Sequence, residues 1–129
     1  MSESLDIRSS DDVVRVRQRV RAVAVEAGLG LVDQTKIVTA ASELARNTLD
    51  YGGGGRVNIE LVTAPRRGLR LEFVDQGPGI KDVDDALRDG FTTGKGLGLG
   101  LGGAKRLSSE FHIEASPGQG TRVHITRWK

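Results

Sequence analysis

Apolar residues in the first half of the chain recur at intervals of three and four. Val13, Val16, Val20, Val23 and Ala27 make one such stripe, with Arg15, Arg17, Arg19 and Arg21 set around it. The spacing predicts an amphipathic helix whose arginines face water. Ser10 or Asp11 can cap its start, and Gly28 marks its stop. Ile37, Ala41, Leu44 and Thr48 carry a second stripe, with Asp33 as candidate cap and the run Gly52-Gly53-Gly54-Gly55 as terminator. Strand-like runs are expected at residues 5–8, 56–63, 68–74, 111–115 and 121–126, the last two joined by the turn-rich Ser116-Pro117-Gly118-Gln119-Gly120. A third helix is expected over about residues 100–109, and residues 81–95 read as a lid with a short helical pattern at 83–88. Helices gathered in one layer against a mostly antiparallel mixed sheet give an α/β two-layer sandwich, with the sheet covered on one face.

The 129 residues make one domain, large enough for a core and too small for a second folded module. Cysteine is absent, which excludes disulfides, thiol catalysis and cysteine metal sites. His112 and His124 stand alone in strand-like runs and read as sheet residues. Net charge is +2, with fourteen arginines offset by carboxylates rather than gathered into a basic tract, and aromatics for base stacking are few. Nucleic acid is therefore not an expected partner. The arginines of the first helix read as a solvated face, with an acidic protein partner as the alternative. No apolar run approaches the roughly 20 residues a bilayer requires, and Met1-Ser2-Glu3-Ser4 has no signal-peptide pattern, so the expected location is the cytoplasm and no membrane partner is expected.

Three segments carry candidate chemistry. Leu69 to Val74 delivers Asp75 into the turn Gln76-Gly77-Pro78-Gly79-Ile80. Glycines 77 and 79 let a flat ligand approach the backbone, while Asp75 can accept hydrogen bonds from an exocyclic amine such as that of adenine. On the second helix, Glu43 and Asn47 are four residues apart and share a face beside the apolar stripe. An Asn carbonyl suffices as a protein ligand for Mg²⁺, which keeps its other positions for water and phosphates. The third segment, Gly94-Lys95-Gly96-Leu97-Gly98-Leu99-Gly100-Leu101-Gly102-Gly103, runs into a helix start, where free N–H groups and the helix dipole favour phosphate. It lacks the Walker pattern. A plain turn, a solvated polar pair and a flexible linker are the ordinary readings of these segments taken singly.

In this order the segments resemble the motifs of the GHKL ATPase superfamily, whose architecture is the Bergerat ATP-binding fold. By that resemblance Glu43 and Asn47 match the N box, Asp75, Gly77 and Gly79 the first glycine box, and Gly96, Gly98 and Gly100 the second. Gly118-Gln119-Gly120-Thr121 matches the later Gly-Thr element, whose threonine helps hold adenine. Within the superfamily, Thr39-Ala40-Ala41-Ser42-Glu43-Leu44-Ala45-Arg46-Asn47 and residues 96–107 resemble the RsbT type of stressosome switch serine/threonine kinase more than the anti-sigma kinases. In the latter a small residue usually precedes the Asn and a His commonly follows it, whereas here Arg46 precedes and Thr48 follows. Gly102 departs from the proline many members carry.

The resemblance implies an ATP-dependent serine/threonine kinase using Mg²⁺. Asn47 would hold the metal, Glu43 would orient or deprotonate the attacking hydroxyl, and Asp75 would select adenine. The backbone of residues 96–102 would hold phosphates. Ile80, Leu99 and Thr121 join the nucleotide contacts, and Thr92, Thr93 and Lys95 fall in the lid near the terminal phosphate. Implied partners are STAS-domain antagonist and scaffold proteins as substrates, followed by a PP2C-type phosphatase that the released kinase activates; a homodimer is allowed and not required. The competing readings are an anti-sigma factor that sequesters a sigma subunit and phosphorylates its own antagonist, or a relic that binds ATP without turnover.

Overall fold

The computed structural model describes residues 2–78, 100–115 and 118–129. Strand β1 (Ser2–Ile7) leads into helix α1 (Ser10–Glu26), helix α2 (Leu31–Asp50), and the hairpin of β2 (Gly55–Val62) and β3 (Gly68–Asp75). Helix α3 (Gly100–Arg106) then precedes β4 (Glu110–Ala115) and β5 (Thr121–Trp128). The five strands lie in the order β1-β2-β3-β5-β4, and every pairing among them is antiparallel. The expected sandwich is present, with a sheet that is antiparallel throughout the described residues rather than mixed. The lid at 81–95, with its helical pattern at 83–88, lies outside the described residues.

One face of the sheet is apolar because alternate strand residues point to the same side. Across the register, Val57 stands opposite Phe73 and Phe73 opposite Val123; one step along, Ile59, Leu71 and Ile125 repeat the row. All six are buried, as are Val13, Val16, Val20 and Val23 of α1 and Ile37, Ala40, Ala41, Leu44 and Ala45 of α2. Each large aliphatic side chain taken from water there contributes roughly 1.5–3 kcal/mol, so the two stripes read in the sequence become one core. The opposite face is polar: Asn58, Glu72, His124 and His112 lie side by side on four strands. Glu72 accepts a hydrogen bond from Asn58 at 2.7 Å and pairs with Arg122 at 3.4 Å. The histidines are sheet residues, as expected.

Element ends differ from expectation where backbone groups found other partners. The first strand begins at Ser2 rather than Leu5, since β1 pairs with β2 along its whole length. Helix α1 starts after Ser9, whose side chain makes no cap, and Asp12 instead accepts the Arg8 N–H at 2.8 Å. Neither Ser10 nor Asp11 is the cap. Helix α2 starts after Gly30, and Asp33 is committed to Arg127 at 2.7 Å instead of capping. Helix α3 stops at Arg106, short of 109, because the Ser109 N–H donates to Thr126 C=O on β5 at 2.8 Å. The α1 arginines do flank the buried stripe, but three are engaged: Arg15 with Asp12, Arg19 with Glu3, Arg21 with Gln34.

Candidate nucleotide site

Four glycines build the site around Asp75. Helix α2 ends by giving the Asn47 carbonyl two donors, the Tyr51 N–H at 2.9 Å and the Gly52 N–H at 3.2 Å. The chain then turns through Gly53 and Gly54, both with φ in the left-handed region that favours glycine. This brings Gly55 opposite Asp75 on β3, whose other neighbour is Thr121 on β5. A Cβ added at Gly52 would stand 2.4 Å from Asp75 Cγ, one at Gly77 would stand 2.7 Å from Gly52 Cα, and one at Gly120 would stand 2.2 Å from the Asp75 carbonyl oxygen. One at Gly55 would meet the Val74 carbonyl at 2.1 Å. The carboxylate therefore sits in a seat whose walls are bare backbone.

That seat shifts the ionisation of Asp75. Burial pushes its pKa above the usual carboxylate range, and the backbone donors of Gly77 and Thr121 pull in the opposite direction without cancelling it. The Gly77 N–H reaches Oδ1 at 2.9 Å. A carboxylate has about four lone-pair positions, so capacity remains for an exocyclic amine. A hollow of about 300 Å³ at this end of the sheet is bordered by Asp75, Gln76, Gly120 and Thr121 and also by Val74, Glu114 and Arg122, and so reaches the polar side of the sheet, away from α2.

The expected residues fall into three groups. Asn47, Asp75, Gly77 and Thr121 are brought together, linked through Gly52 and the β3–β5 register. Glu43 lies one turn back on α2, but it is not at the edge of the apolar stripe: it is 7% exposed and belongs to the buried set. Helix α2 packs against α1, α3 and the sheet, so its buried arc widens beyond the stripe seen in the sequence. No described residue gives the Glu43 carboxylate a hydrogen bond or ion pair. Gly100 opens α3, which packs on α2 and sends Leu101 and Ala104 into the core. Gly79, Ile80, Thr92, Thr93, Lys95, Gly96, Gly98 and Leu99 lie outside the described residues. Among the described residues no cluster of His, Cys, Asp and Glu forms a metal site.

Sequence reasoning missed Gly52 and Gly55, which it treated only as a helix terminator, and underrated Gly120. One glycine suffices to end a helix; four in a row were the sign that the extra ones serve close approach.

A carboxylate held among close-packed glycines beside a helix end has the chemistry to take a nucleotide base, and residues 32–129 match the family described as Histidine kinase-, DNA gyrase B-, and HSP90-like ATPase. The chain belongs to that family. It is 48% identical over 118 residues to Serine/threonine-protein kinase RsbT of Bacillus subtilis (strain 168), covering 91% of this chain and 89% of that protein. It is 29% identical over 117 residues to the Anti-sigma F factor of Thermoanaerobacter sp. (strain X514), covering 87% and 82%. The fold matches the crystal structure of the RsbU and RsbW domains of Rv1364c from Mycobacterium tuberculosis with a TM-score of 0.67 at 24% identity, over 99% of this chain and 32% of that one. These likenesses agree with the superfamily and the switch-kinase type expected from the motifs.

Proposed function

We propose that this serine/threonine protein kinase transfers the γ-phosphoryl group of ATP to STAS-domain substrate and scaffold proteins in a partner-switching stress response, and on release activates a PP2C-type phosphatase. The observation that carries the nucleotide reading is the Asp75 seat. Gly52 packs so closely that a methyl group there would meet the Asp75 side chain, one at Gly120 would meet the Asp75 carbonyl, and the carboxylate between them keeps the capacity to accept from an adenine amine.

In this reading Asp75 orients adenine, Thr121 supports that end, and the backbone at the start of α3 with residues 96–99 holds the phosphates. Glu43, buried and without a hydrogen bond from the described residues, orients or deprotonates the substrate hydroxyl. The Asn47 side chain, one turn further along, supplies a neutral oxygen for Mg²⁺, which when bound offsets phosphate charge. Ile80, Leu99, Thr93 and Lys95 complete the proposed nucleotide contacts. No helix among the described residues is long and apolar enough to cross a membrane, which suits the cytoplasmic location proposed here.

The 48% identity to a named kinase, against 29% to a named anti-sigma factor, supports substrate phosphorylation over sigma sequestration. The test is to incubate the protein with Mg²⁺, ATP and a STAS-domain protein encoded beside it and to map the phosphosite by mass spectrometry. Phosphorylation at a serine or threonine is expected. Absence of transfer together with micromolar binding of a sigma subunit would replace this reading with the anti-sigma one.

A further inference from the structure

The residue at position 127 is out of keeping with its place. On β5, Val123, Ile125 and Arg127 point to the same helix-facing side, and Arg127 stands opposite the buried Leu69. An aliphatic side chain would satisfy that row. Arginine instead leaves its Nε buried with no hydrogen-bond partner among the described residues, a cost that packing alone does not explain. Its two terminal nitrogens reach two different helices. Nη2 donates to Asp33 Oδ1 in the first turn of α2 at 2.7 Å, and Nη1 donates to the Leu107 carbonyl just past the end of α3 at 3.4 Å.

Helix α3 has need of such an anchor. Its sequence, Gly-Leu-Gly-Gly-Ala-Lys-Arg, gives it only Leu101 and Ala104 as buried apolar contacts, and glycine in a helix interior is destabilising. The segment after it is stitched to β5: the Ser109 N–H donates to Thr126 C=O at 2.8 Å, and Ser109 Oγ accepts the Trp128 N–H at 3.1 Å. Arg127 extends that stitching to α2. One guanidinium thus joins the C-terminal end of α3 to the N-terminal end of α2, and α3 packs along α2, the helix that carries Glu43 and Asn47.

We propose that Arg127, held by Asp33, is a positioning residue for the nucleotide: it fixes α3 relative to α2 and thereby sets the affinity for the triphosphate without touching it. The inference rests on the nucleotide reading above. Fourteen residues of helix separate Asp33 from Asn47, about 21 Å at 1.5 Å per residue, so any effect of the pair on ATP must pass through the helices.

The experiment compares the full chain with Arg127→Met, Asp33→Asn and the double variant. Mg²⁺-ATP affinity is measured by calorimetry well below the melting temperature, with melts recorded in parallel. Methionine fills the aliphatic row and removes the orphaned N–H but leaves Asp33 without its cation, so Arg127→Met is expected to melt close to the parent while binding ATP about three- to tenfold more weakly, since small misplacements of binding groups carry costs of this order or more. Asp33→Asn, nearly isosteric, should weaken ATP in the same direction. The double variant should be no weaker than Arg127→Met, because both changes open the same clasp. Affinities equal to the parent in both single variants would overturn the proposal and leave Arg127 a structural residue; should Arg127→Met fail to fold, Asp33→Asn decides alone. A parent that binds no ATP would instead overturn the nucleotide reading itself.

Discussion

Gly52→Ala is the sharpest probe of the Asp75 seat, because the new methyl group meets one target. It would stand 2.4 Å from Asp75 Cγ, 2.5 Å from Cβ and 2.6 Å from Oδ2, while ordinary van der Waals contact begins at 3.4 Å. The side chain must retreat by about 1 Å. Gly52 is not among the glycines with positive φ, so alanine is conformationally allowed there, and the less flexible unfolded chain returns about 0.4–1 kcal/mol of stability. Against this stand overpacking, about 1–3 kcal/mol, and weakening of the 2.9 Å Gly77 bond, about 0.5–1.5 kcal/mol net. The expected loss is about 2 kcal/mol in the free protein, small enough for the chain still to fold. ATP binding should suffer more specifically, because a displaced carboxylate forfeits a charge-assisted hydrogen bond of about 1.5–3 kcal/mol, or roughly 10- to 150-fold in affinity. Calorimetry with ATP beside thermal melts measures both, and Gly30→Ser is the control: it lies at the α2 cap with φ −70 and nothing within 4 Å, and it should leave ATP affinity unchanged. Parent-like ATP affinity in a folded Gly52→Ala protein would refute the seat.

Asp75→Asn should separate stability from binding. Burial raises the native pKa of Asp75, so the native state holds its proton more tightly than the unfolded state; the stability this contributes is full below the ordinary value, about 3.9, and is lost as pH rises through the native pKa. The Asn protein should therefore melt above the parent at pH 7, with the gap closing toward pH 4, while ATP affinity falls by about 1–3 kcal/mol; a lower melting temperature at pH 7 would contradict the burial argument. Glu43→Gln should keep ATP binding and slow phosphoryl transfer roughly 10²- to 10⁴-fold, and undiminished transfer would make Glu43 structural. Asn47→Ala should abolish Mg²⁺-dependent nucleotide binding with little change in the melt, since Asn47 is only half-buried, and unfolding would mark it as a core contact instead.

The sheet and both long helices were legible because their burial is periodic: the stripes through Val13, Val16, Val20 and Val23 and through Ile37, Ala41 and Leu44 are the residues the core contains. Caps were less legible. Asp33 has the chemistry of a cap, but a guanidinium 94 residues away in the chain holds it more strongly than a local N–H would, and no local pattern announces that. The burial of Glu43 was hidden for the same reason, since α3 reaches α2 from the far half of the chain. The site itself was legible in part. Asp75 and Gly77 are local, and the turn chemistry displays them, whereas Gly52 and Gly120 matter only because strand pairing brings both against Asp75.

On the proposed nucleotide reading, Asp75 and the surrounding glycines are where function is placed above stability. Each glycine loses more conformational freedom on folding than alanine would, and the carboxylate they surround is pushed by burial toward its neutral form. An apolar residue in place of Asp75 would be the more stable solution. That penalty stays local because the fully buried sheet positions facing the helices, Val57, Ile59, Leu69, Leu71 and Ile125 among them, are apolar, while Arg127 carries its own cost at a junction with the helices. If this division holds, substitutions that stabilise the free protein should concentrate at these two places, at Asp75 and at the pair of Arg127 and Asp33, and each should weaken ATP. A set of stabilising substitutions scattered evenly through the core and neutral toward ATP would show instead that the orphaned guanidinium nitrogen and the buried carboxylate are incidental to binding.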